Sequence, residues 1–328
     1  MGKGCLSRIF DRIRWNLFTS AKTKGKVEAA NNRKKDMLAL IPALQPLTHC
    51  ANPNSTKYIV SLTSYGKRLI DTAPYTIVSL LNQNVKPDKL ILWVAHNDKE
   101  NVTDILRELT SKGLEIRFCE DIRSYKKLIP ALREFPDDYI ITADDDVYYP
   151  QDWFEQLIVE HKKNYGKIIC LRATGITVDK NHRPLPYKKW FGAIVSNSYF
   201  AVDCAGEGRM ESIFPTGMAG ILYPPKCFHE DILNIELFTK LAPNGDDIWF
   251  WAMAVINQKF FGKSSPYVIV PNNCWQQNRI QDVETKHMRR EKPLWHYNLK
   301  KKGNDSQIEA VINSYPQIIE YLKRIKPV

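Results

Sequence analysis

The stretch Tyr58-Ile59-Val60-Ser61-Leu62-Thr63 is a nearly unbroken apolar run that closes on a polar turn, Ser64-Tyr65-Gly66-Lys67-Arg68. Short apolar runs of this kind, rich in β-branched residues and without alternation, read as strands buried on both faces. The pattern returns at Lys89 to Ala95, Leu114 to Cys119 and Tyr139 to Thr142. Helical spacing separates these runs, at about 73–82, 102–112 and 125–135. Pro74 suits a first helical turn, Gly113 suits a helix stop, and Pro130 disturbs the third helix. Strands alternating with helices predict an α/β protein, with a mostly parallel sheet flanked by helices and ligands bound beyond the carboxyl ends of its strands. The loops at 61–68 and 144–150 then open on one edge. Further along, the pattern predicts a helix from Trp153 to Tyr165, a strand at Ile168 to Leu171, a loop-rich stretch to Cys227 and a helix after Asp246. No internal repeat is present.

Before the first strand, Leu6, Ile9, Phe10, Ile13 and Leu17 recur at helical spacing, with Arg8, Asp11 and Arg12 opposite. This predicts a basic amphipathic helix, suited either to an anionic membrane surface or to docking on a protein. Residues 19–35 are polar, basic and poorly patterned, and read as a linker. The resulting organisation is a helix and linker over 1–56, a catalytic domain over 57–262 and a basic, helical extension over 263–328 packed on that domain.

Composition narrows the class. Of 328 residues, 44% are hydrophobic and 25% charged, which excludes a disordered or low-complexity chain. The formal charge of +11 divides into +7 over residues 1–36, +6 over 286–302 and −2 elsewhere. A near-neutral body argues against a nucleic-acid partner. The seven cysteines are odd in number, scattered and without a C-x-x-C pair, a pattern of reduced thiols in a cytoplasm rather than of disulfides or zinc. No run reaches the ~18 apolar residues of a membrane span. The expected location is the cytoplasm, with peripheral attachment to the inner face of the membrane through the basic segments.

The candidate chemistry begins with Asp144-Asp145-Asp146 at the end of the fourth strand. Adjacent carboxylates repel unless a cation sits among them, and Mg2+ or Mn2+ takes one or two such groups together with phosphate oxygens and water. Asp144 and Asp146 share one side of the turn; a solvated acidic loop is the plain alternative. A second acidic pair, Asp246-Asp247, follows Asn244-Gly245 and opens an apolar helical run from Ile248 to Ile256. Acids there cap a helix and are favoured by its dipole, which explains one aspartate better than two. Lys67, Arg68, Lys126 and Lys127 follow strands toward the ligand edge, where phosphate contact and ordinary surface exposure are both open. Tyr187, Trp190, Phe191, Trp249 and Trp251 offer faces for sugar stacking, Trp251 being equally suited to the core.

These motifs resemble those of GT-A-fold (Rossmann-like) glycosyltransferases, in particular the family-two-like bacterial enzymes of surface polysaccharide and lipooligosaccharide biosynthesis. Residues 140–150, ITADDDVYYP with its preceding isoleucine, are similar to the family's D-x-D strand end, and VSLTSYGKR to its first nucleotide-binding loop. Phe214 to Gly220 is similar to its small-residue loop near sugar and acceptor, and Asn244 to Trp249 to its acidic-pair motif. The resemblance implies a metal-dependent transfer of a sugar from a nucleotide-diphosphate donor, a UDP-sugar by preference, to a hydroxyl of a lipid-linked or growing glycan, with inversion. It implies that one of Asp246 and Asp247 is the base, Asp247 being the choice because the family's second acid usually has that role. Ser61, Thr63, Tyr65, Arg68, Lys126, Lys127, Asp144 and Asp145 would contact the donor. Asp144 and Asp146, joined by His296, would hold Mn2+ or Mg2+, and Trp190, Gly217, Gly220 and Trp249 would face the acceptor. Two features depart from the family: the first loop lacks its proline-threonine pattern, and Asp246 stands where glutamate is usual.

Rival readings fit less of the chain. A haloacid dehalogenase-type phosphohydrolase fails because Tyr148 occupies the fifth motif position and the motif lies mid-chain. A sugar-nucleotide pyrophosphorylase is supported only by Gly66-Lys67-Arg68-Leu69. A non-catalytic, membrane-associated sugar-binding protein of the same fold would not need Asp144, Asp146 and Asp247 together.

Overall fold

A computed structural model describes residues 21–47, 56–194, 212–262, 264–270, 280 and 303–328. The amphipathic helix expected at 6–18, His296 and the basic stretch 286–302 lie outside the described residues.

Four strands occur where continuous apolar runs predict them: β1 (Tyr58–Ser64), β2 (Lys89–Ala95), β3 (Leu114–Cys119) and β4 (Tyr139–Thr142). With β5 (Ile168–Cys170), β9 (Ile221–Tyr223) and β10 (Tyr267–Ile269) they form a sheet in the order β10-β5-β9-β4-β1-β2-β3. Every pairing is parallel except those of β9 with β4 and β5, so the sheet is mostly parallel as expected. A small antiparallel sheet of β6 (Ala173–Gly175), β7 (Phe191–Ile194) and β8 (Ile213–Pro215) lies beside it.

Alternate residues of these apolar strands serve different layers. Ile59, Ile91 and Ile140 join one buried cluster, while Val60, Leu62, Leu90, Leu92 and Ile141 join the other. Both faces are therefore covered, which is why the strands read as uninterrupted apolar runs. Helices α1 (Ala21–Ala39), α2 (Ala73–Leu81), α3 (Trp153–Lys163), α4 (Asp246–Val255), α5 (Gly303–Ser314) and α6 (Gln317–Leu322) account for most of the covering. Residues 263–328 thus supply the edge strand β10 as well as α5 and α6, whose Ile308, Val311, Ile312 and Ile318 share the cluster that contains α4.

Three local expectations change. The segment read as a linker is largely helical: α1 runs beside α2, with Arg33 over the Tyr148 ring at 4.1 Å and Lys34 over the Tyr75 ring at 5.0 Å. Its alanine, lysine, arginine and glutamate favour a helix even without an apolar stripe. The helix expected over 125–135 divides into a 3-10 turn at Arg123–Lys127 and an α-helix at Ile129–Glu134, with Pro130 in the latter's first turn. The break at Leu128 lets Lys127 turn into the protein. Finally, the stretch expected as a helix to Lys112 ends in 3-10 geometry, and Gly113 stops it with φ 102°, as its position predicts.

In the sheet order, β1 stands between β2 and β4, so the chain reverses its direction of winding there. Parallel sheets leave a crevice at such a point, at the carboxyl ends of the two strands. Ser64 to Arg68 follow β1 and Asp144 to Asp146 follow β4.

Candidate active site

Packing from several elements fixes the three-aspartate turn. Val147 donates its N–H to Thr76 Oγ1 at 3.2 Å and Tyr149 donates its N–H to Ser79 Oγ at 3.0 Å, both on α2. Gln83 donates to the Pro150 carbonyl and accepts from the Phe154 N–H, which anchors the start of α3. The Ile280 N–H donates to the Asp146 carbonyl at 2.8 Å. Tyr149 then links two motifs: its hydroxyl accepts the Asp144 N–H at 2.9 Å and donates to the Met218 carbonyl at 3.1 Å. The sequence gives no hint of this tyrosine's role, because the link spans two distant loops.

The three aspartates have different tasks. Asp145 is buried and accepts hydrogen bonds from Arg68 and from Ser64 Oγ, the latter at 2.6 Å. Arg68 also lies 3.2 Å from Asp146 Oδ2. Burial works against the guanidinium charge, but Asp145 and then Asp146 outweigh it and hold the pKa above its ordinary value. Arg68 and Asp145, both expected at the donor, thus pin the β1 and β4 loops together. Asp144 and Asp146 remain 30% and 21% exposed at the mouth of the crevice.

Lys127 is the centre of the arrangement. Its Nζ lies 3.1 Å from Asp144 Oδ1 and 2.9 Å from Asp246 Oδ2, and its side chain is 8% exposed. Burial disfavours the ammonium, yet Asp144, Asp246 and Asp247 together raise its pKa well above the usual value. A residue expected at a phosphate is therefore an internal cation that joins the acid after β4 to the acids of α4. Its carbonyl accepts from Ser61 Oγ at 2.7 Å, and Ser61 accepts in turn from Trp93 Nε1 at 3.0 Å. Ser61 is fully buried, so it supports Lys127 from behind instead of facing a ligand.

Asp246 and Asp247 occupy the first turn of α4, whose N-cap is Gly245; neither aspartate is itself the cap. Asp247 accepts the Gly217 N–H, at 3.2 Å to Oδ1 and 3.3 Å to Oδ2. A Cβ on Gly217 would lie 2.7 Å from Lys127 Nζ and 3.1 Å from Asp247 Oδ1, so the small residue permits the backbone to approach both charges. Burial first, then the charges of Asp246 and Asp144, push the Asp247 carboxyl up to about 7, against the opposing effects of Lys127 and the Gly217 N–H. A carboxylate poised near neutrality suits proton transfer.

The other expected contacts divide. Tyr65 is exposed and Thr63 is partly exposed, its Oγ1 donating to the Trp93 carbonyl at 2.8 Å. Lys126 is buried and paired with Asp121, away from Lys127's partners. Trp249 is fully buried and donates Nε1 to the Ile232 carbonyl at 3.2 Å, so it is core and not an acceptor platform. Its helix is apolar on every side because it lies inside the domain. Gly220, with φ 103°, has no room for a Cβ against the Trp153 indole, and its smallness serves that packing instead of an acceptor. Trp190 is 6% exposed and packs against Tyr187 and Phe214, donating Nε1 to the Leu185 carbonyl. It backs the strand that leads to Gly217.

The geometry brings Asp144, Lys127, Asp246, Asp247 and Gly217 together at the switch point of the sheet. Among solved structures, the chain is similar to S. aureus TarS 1-349 in complex with UDP-GlcNAc, at 13% identity and a TM-score of 0.45, over 82% of this chain and 72% of that chain. It is similar also to mannosyltransferase PcManGT from Pyrobaculum calidifontis in complex with GDP-Man and Mn2+, at 13% identity and a TM-score of 0.40, over 90% of this chain and 83% of that one. CMP:2-keto-3-deoxy-manno-octonic acid synthetase complexed with CTP shares 9% identity, with a TM-score of 0.41, over 71% of this chain and 97% of that one. No curated protein matches the chain. Residues 60–214, just under half of the chain, match the family model described as Glycosyl transferase family 2. The match spans the first strand, the three-aspartate turn and the approach to Gly217, and the chain therefore carries a glycosyltransferase domain with a GT-A-like fold.

Proposed function

We propose that the chain transfers a sugar from a nucleotide-diphosphate donor, a UDP-sugar by preference, to a hydroxyl of a lipid-linked or growing surface glycan with inversion at the anomeric carbon. The observation that carries this reading is the cluster in which Lys127 joins Asp144 to Asp246 while the Gly217 N–H holds Asp247. Asp247 takes the proton of the acceptor hydroxyl as that oxygen forms its bond to the anomeric carbon. The bond from that carbon to the diphosphate oxygen breaks, and the nucleoside diphosphate leaves with the electron pair. Gly217 orients the carboxylate through its N–H, and Lys127 holds the acids of α4 in register with the β4 loop. Such fixed charges act without reorganising during the reaction.

A GT-A-like fold implies a divalent metal, which Asp144 and Asp146 would hold beside the cations Lys127 and Arg68. Asp144 and Asp146 are hard oxygen donors, partly exposed at the mouth of the crevice, and hard ions need only one or two carboxylates where phosphate and water complete the shell. Among the described residues no group of three or more histidine, cysteine, aspartate or glutamate side chains is disposed to hold a metal, so Asp144 and Asp146 would need phosphate and water to complete the shell. When bound there, Mn2+ or Mg2+ supplies charge neutralisation for the departing diphosphate. The reading is tested by calorimetric donor binding and by release of nucleoside diphosphate, with and without Mn2+. Binding and turnover should depend on the metal and should fall in Asp146→Ala. Metal-independent binding, or a fully active Asp146→Ala protein, would remove the metal assignment; no binding of any donor would remove the function.

We also assign the basic N-terminal segment to an anionic bilayer at the cytoplasmic face, because +7 of the formal charge lies within residues 1–36. No helix among the described residues is long and apolar enough to cross a membrane. Since α1 is docked on α2, removal of residues 1–20, which takes away the amphipathic stretch and part of that charge, should weaken flotation with phosphatidylserine-containing vesicles while the domain stays folded. Undiminished flotation would reject this role.

A further inference from the structure

Helix α5, outside the segment that matches the family model, reaches the turn just ahead of the acidic pair. Gln307, 6% exposed, accepts the Asn244 N–H on Oε1 at 2.8 Å and donates Nε2 to the Gly303 carbonyl at 2.8 Å. Its amide is thus fixed at both ends, with the acceptor aimed at the turn just ahead of α4. There is no slack on that side. A Cβ on Gly245 would meet Ile248 Cδ1 at 2.8 Å and Gln307 Oε1 at 3.3 Å. The opposite side of the turn is held by the segment that carries Lys127: Tyr125 donates its hydroxyl to the Ala242 carbonyl at 2.7 Å, and Arg123 donates to the Pro243 carbonyl and to Asn244 Oδ1, each at 3.0 Å. Two residues before Gln307, Asp305 accepts the Tyr187 N–H at 2.6 Å. Tyr187 packs on Phe214, which leads directly to Gly217.

We propose that Gln307 is a positioning residue for sugar transfer, holding the Asn244–Gly245 turn so that the first turn of α4 presents Asp247 to the Gly217 N–H and Asp246 to Lys127. The inference rests on the reading of Asp247 as the base. The physical basis is leverage: a backbone N–H held by a fixed side chain sets where the next three residues begin the helix, and displacements of about 1 Å at a reacting group cost on the order of 100-fold in rate. Gln307 does not touch the reacting atoms, so its loss should act on kcat and leave the donor in place.

The experiment compares Gln307→Met, which keeps length and removes both the acceptor and the donor, with Gln307→Glu, which keeps an acceptor for the Asn244 N–H and loses the donor to the Gly303 carbonyl. Donor affinity by calorimetry and steady-state transfer are measured on the full chain. In Gln307→Met, kcat should fall about 10-fold or more, with donor Kd within about 2-fold of wild type, the steep dependence on placement being the same one that makes proximity effective. Gln307→Glu should recover part of that loss, because it restores the acceptor for the Asn244 N–H but not the donor to the Gly303 carbonyl. Wild-type kcat in Gln307→Met overturns the proposal, as does an equal loss in both variants. A drop in kcat that matches a drop in the fraction of protein able to bind donor also overturns it, because the residue would then be purely structural. Failure of the functional reading is separate: it is absence of transfer by the wild-type protein.

Discussion

Asp247→Asn should lower kcat by about 1,000-fold, within the range of general-base contributions, while leaving donor affinity close to wild type. Asparagine retains an oxygen for the Gly217 N–H, so the loop and the helix start stay in place. What is lost is the ability to accept a proton. The wild-type pH profile carries the same information: activity should fall tenfold per unit below about pH 7 as the carboxylate is protonated, and level off above it, since Asp247 is held at about 7 by burial, Asp246 and Asp144. The asparagine variant should lack that limb. Stability moves in the opposite sense. Because the folded carboxyl binds its proton more tightly than an ordinary aspartate at 3.8, the folded state is favoured at low pH and loses that advantage as pH rises from about 4 to about 7. At pH 8 the asparagine variant should melt no lower than wild type. A variant that unfolds earlier at pH 8, or one with a wild-type kcat, would mean that Asp247 is a structural acid.

Lys127→Met should be the most destabilising single change in the site. The methionine fills a similar volume but leaves Asp144 and Asp246 without the ammonium at 3.1 and 2.9 Å, with Asp247 close by. Removing one partner from a buried charge cluster costs about 3–5 kcal/mol, which for a domain of this size corresponds to a fall in Tm on the order of 10 °C. The Lys127 pKa is raised, so its contribution is complete at neutral pH and is lost only above the ordinary lysine range. The deficit in the variant should instead shrink on acidification, as protons neutralise the carboxylates left behind. Lys127 also opposes the upward shift of Asp247, so any residual activity should show its acid limb at higher pH than wild type. Equal thermal stability and an unmoved limb would show that the carboxylates do not depend on this lysine.

Much of the fold was legible because buried parallel strands need apolar residues on both faces. The runs at 58–63, 89–95, 114–119 and 139–142 match β1 to β4 to within a residue for that reason. The acidic turn at Asp144 and the pair at Asp246 were legible as well, since clustered carboxylates are costly without a use. Helix α1 was not, because a helix held by a few lateral contacts, such as Arg33 on Tyr148, leaves no apolar periodicity. The burial of Trp249 leaves no mark in the sequence, because an aromatic residue in a helix apolar on all sides looks the same whether it faces a sugar or the core. The charge of Lys127 is legible in the sequence, whereas its pairing with Asp144 and Asp246 is set by packing.

Local residue order carries the layer architecture, the edge of the sheet at which the loops open and the places where acids cluster. Local residue order is enough for these, since strand burial and turn chemistry act over a few positions. Which acids meet depends on packing between distant segments. Lys127 joins residues that lie 17 and 119 positions further along the chain, and Gly217 and Gln307 reach Asp247 and Asn244 across gaps of 30 and 63. Contacts of that range follow from how the sheet, α4 and α5 pack, and pairwise charge and hydrogen-bond geometry leave no periodic trace in the chain.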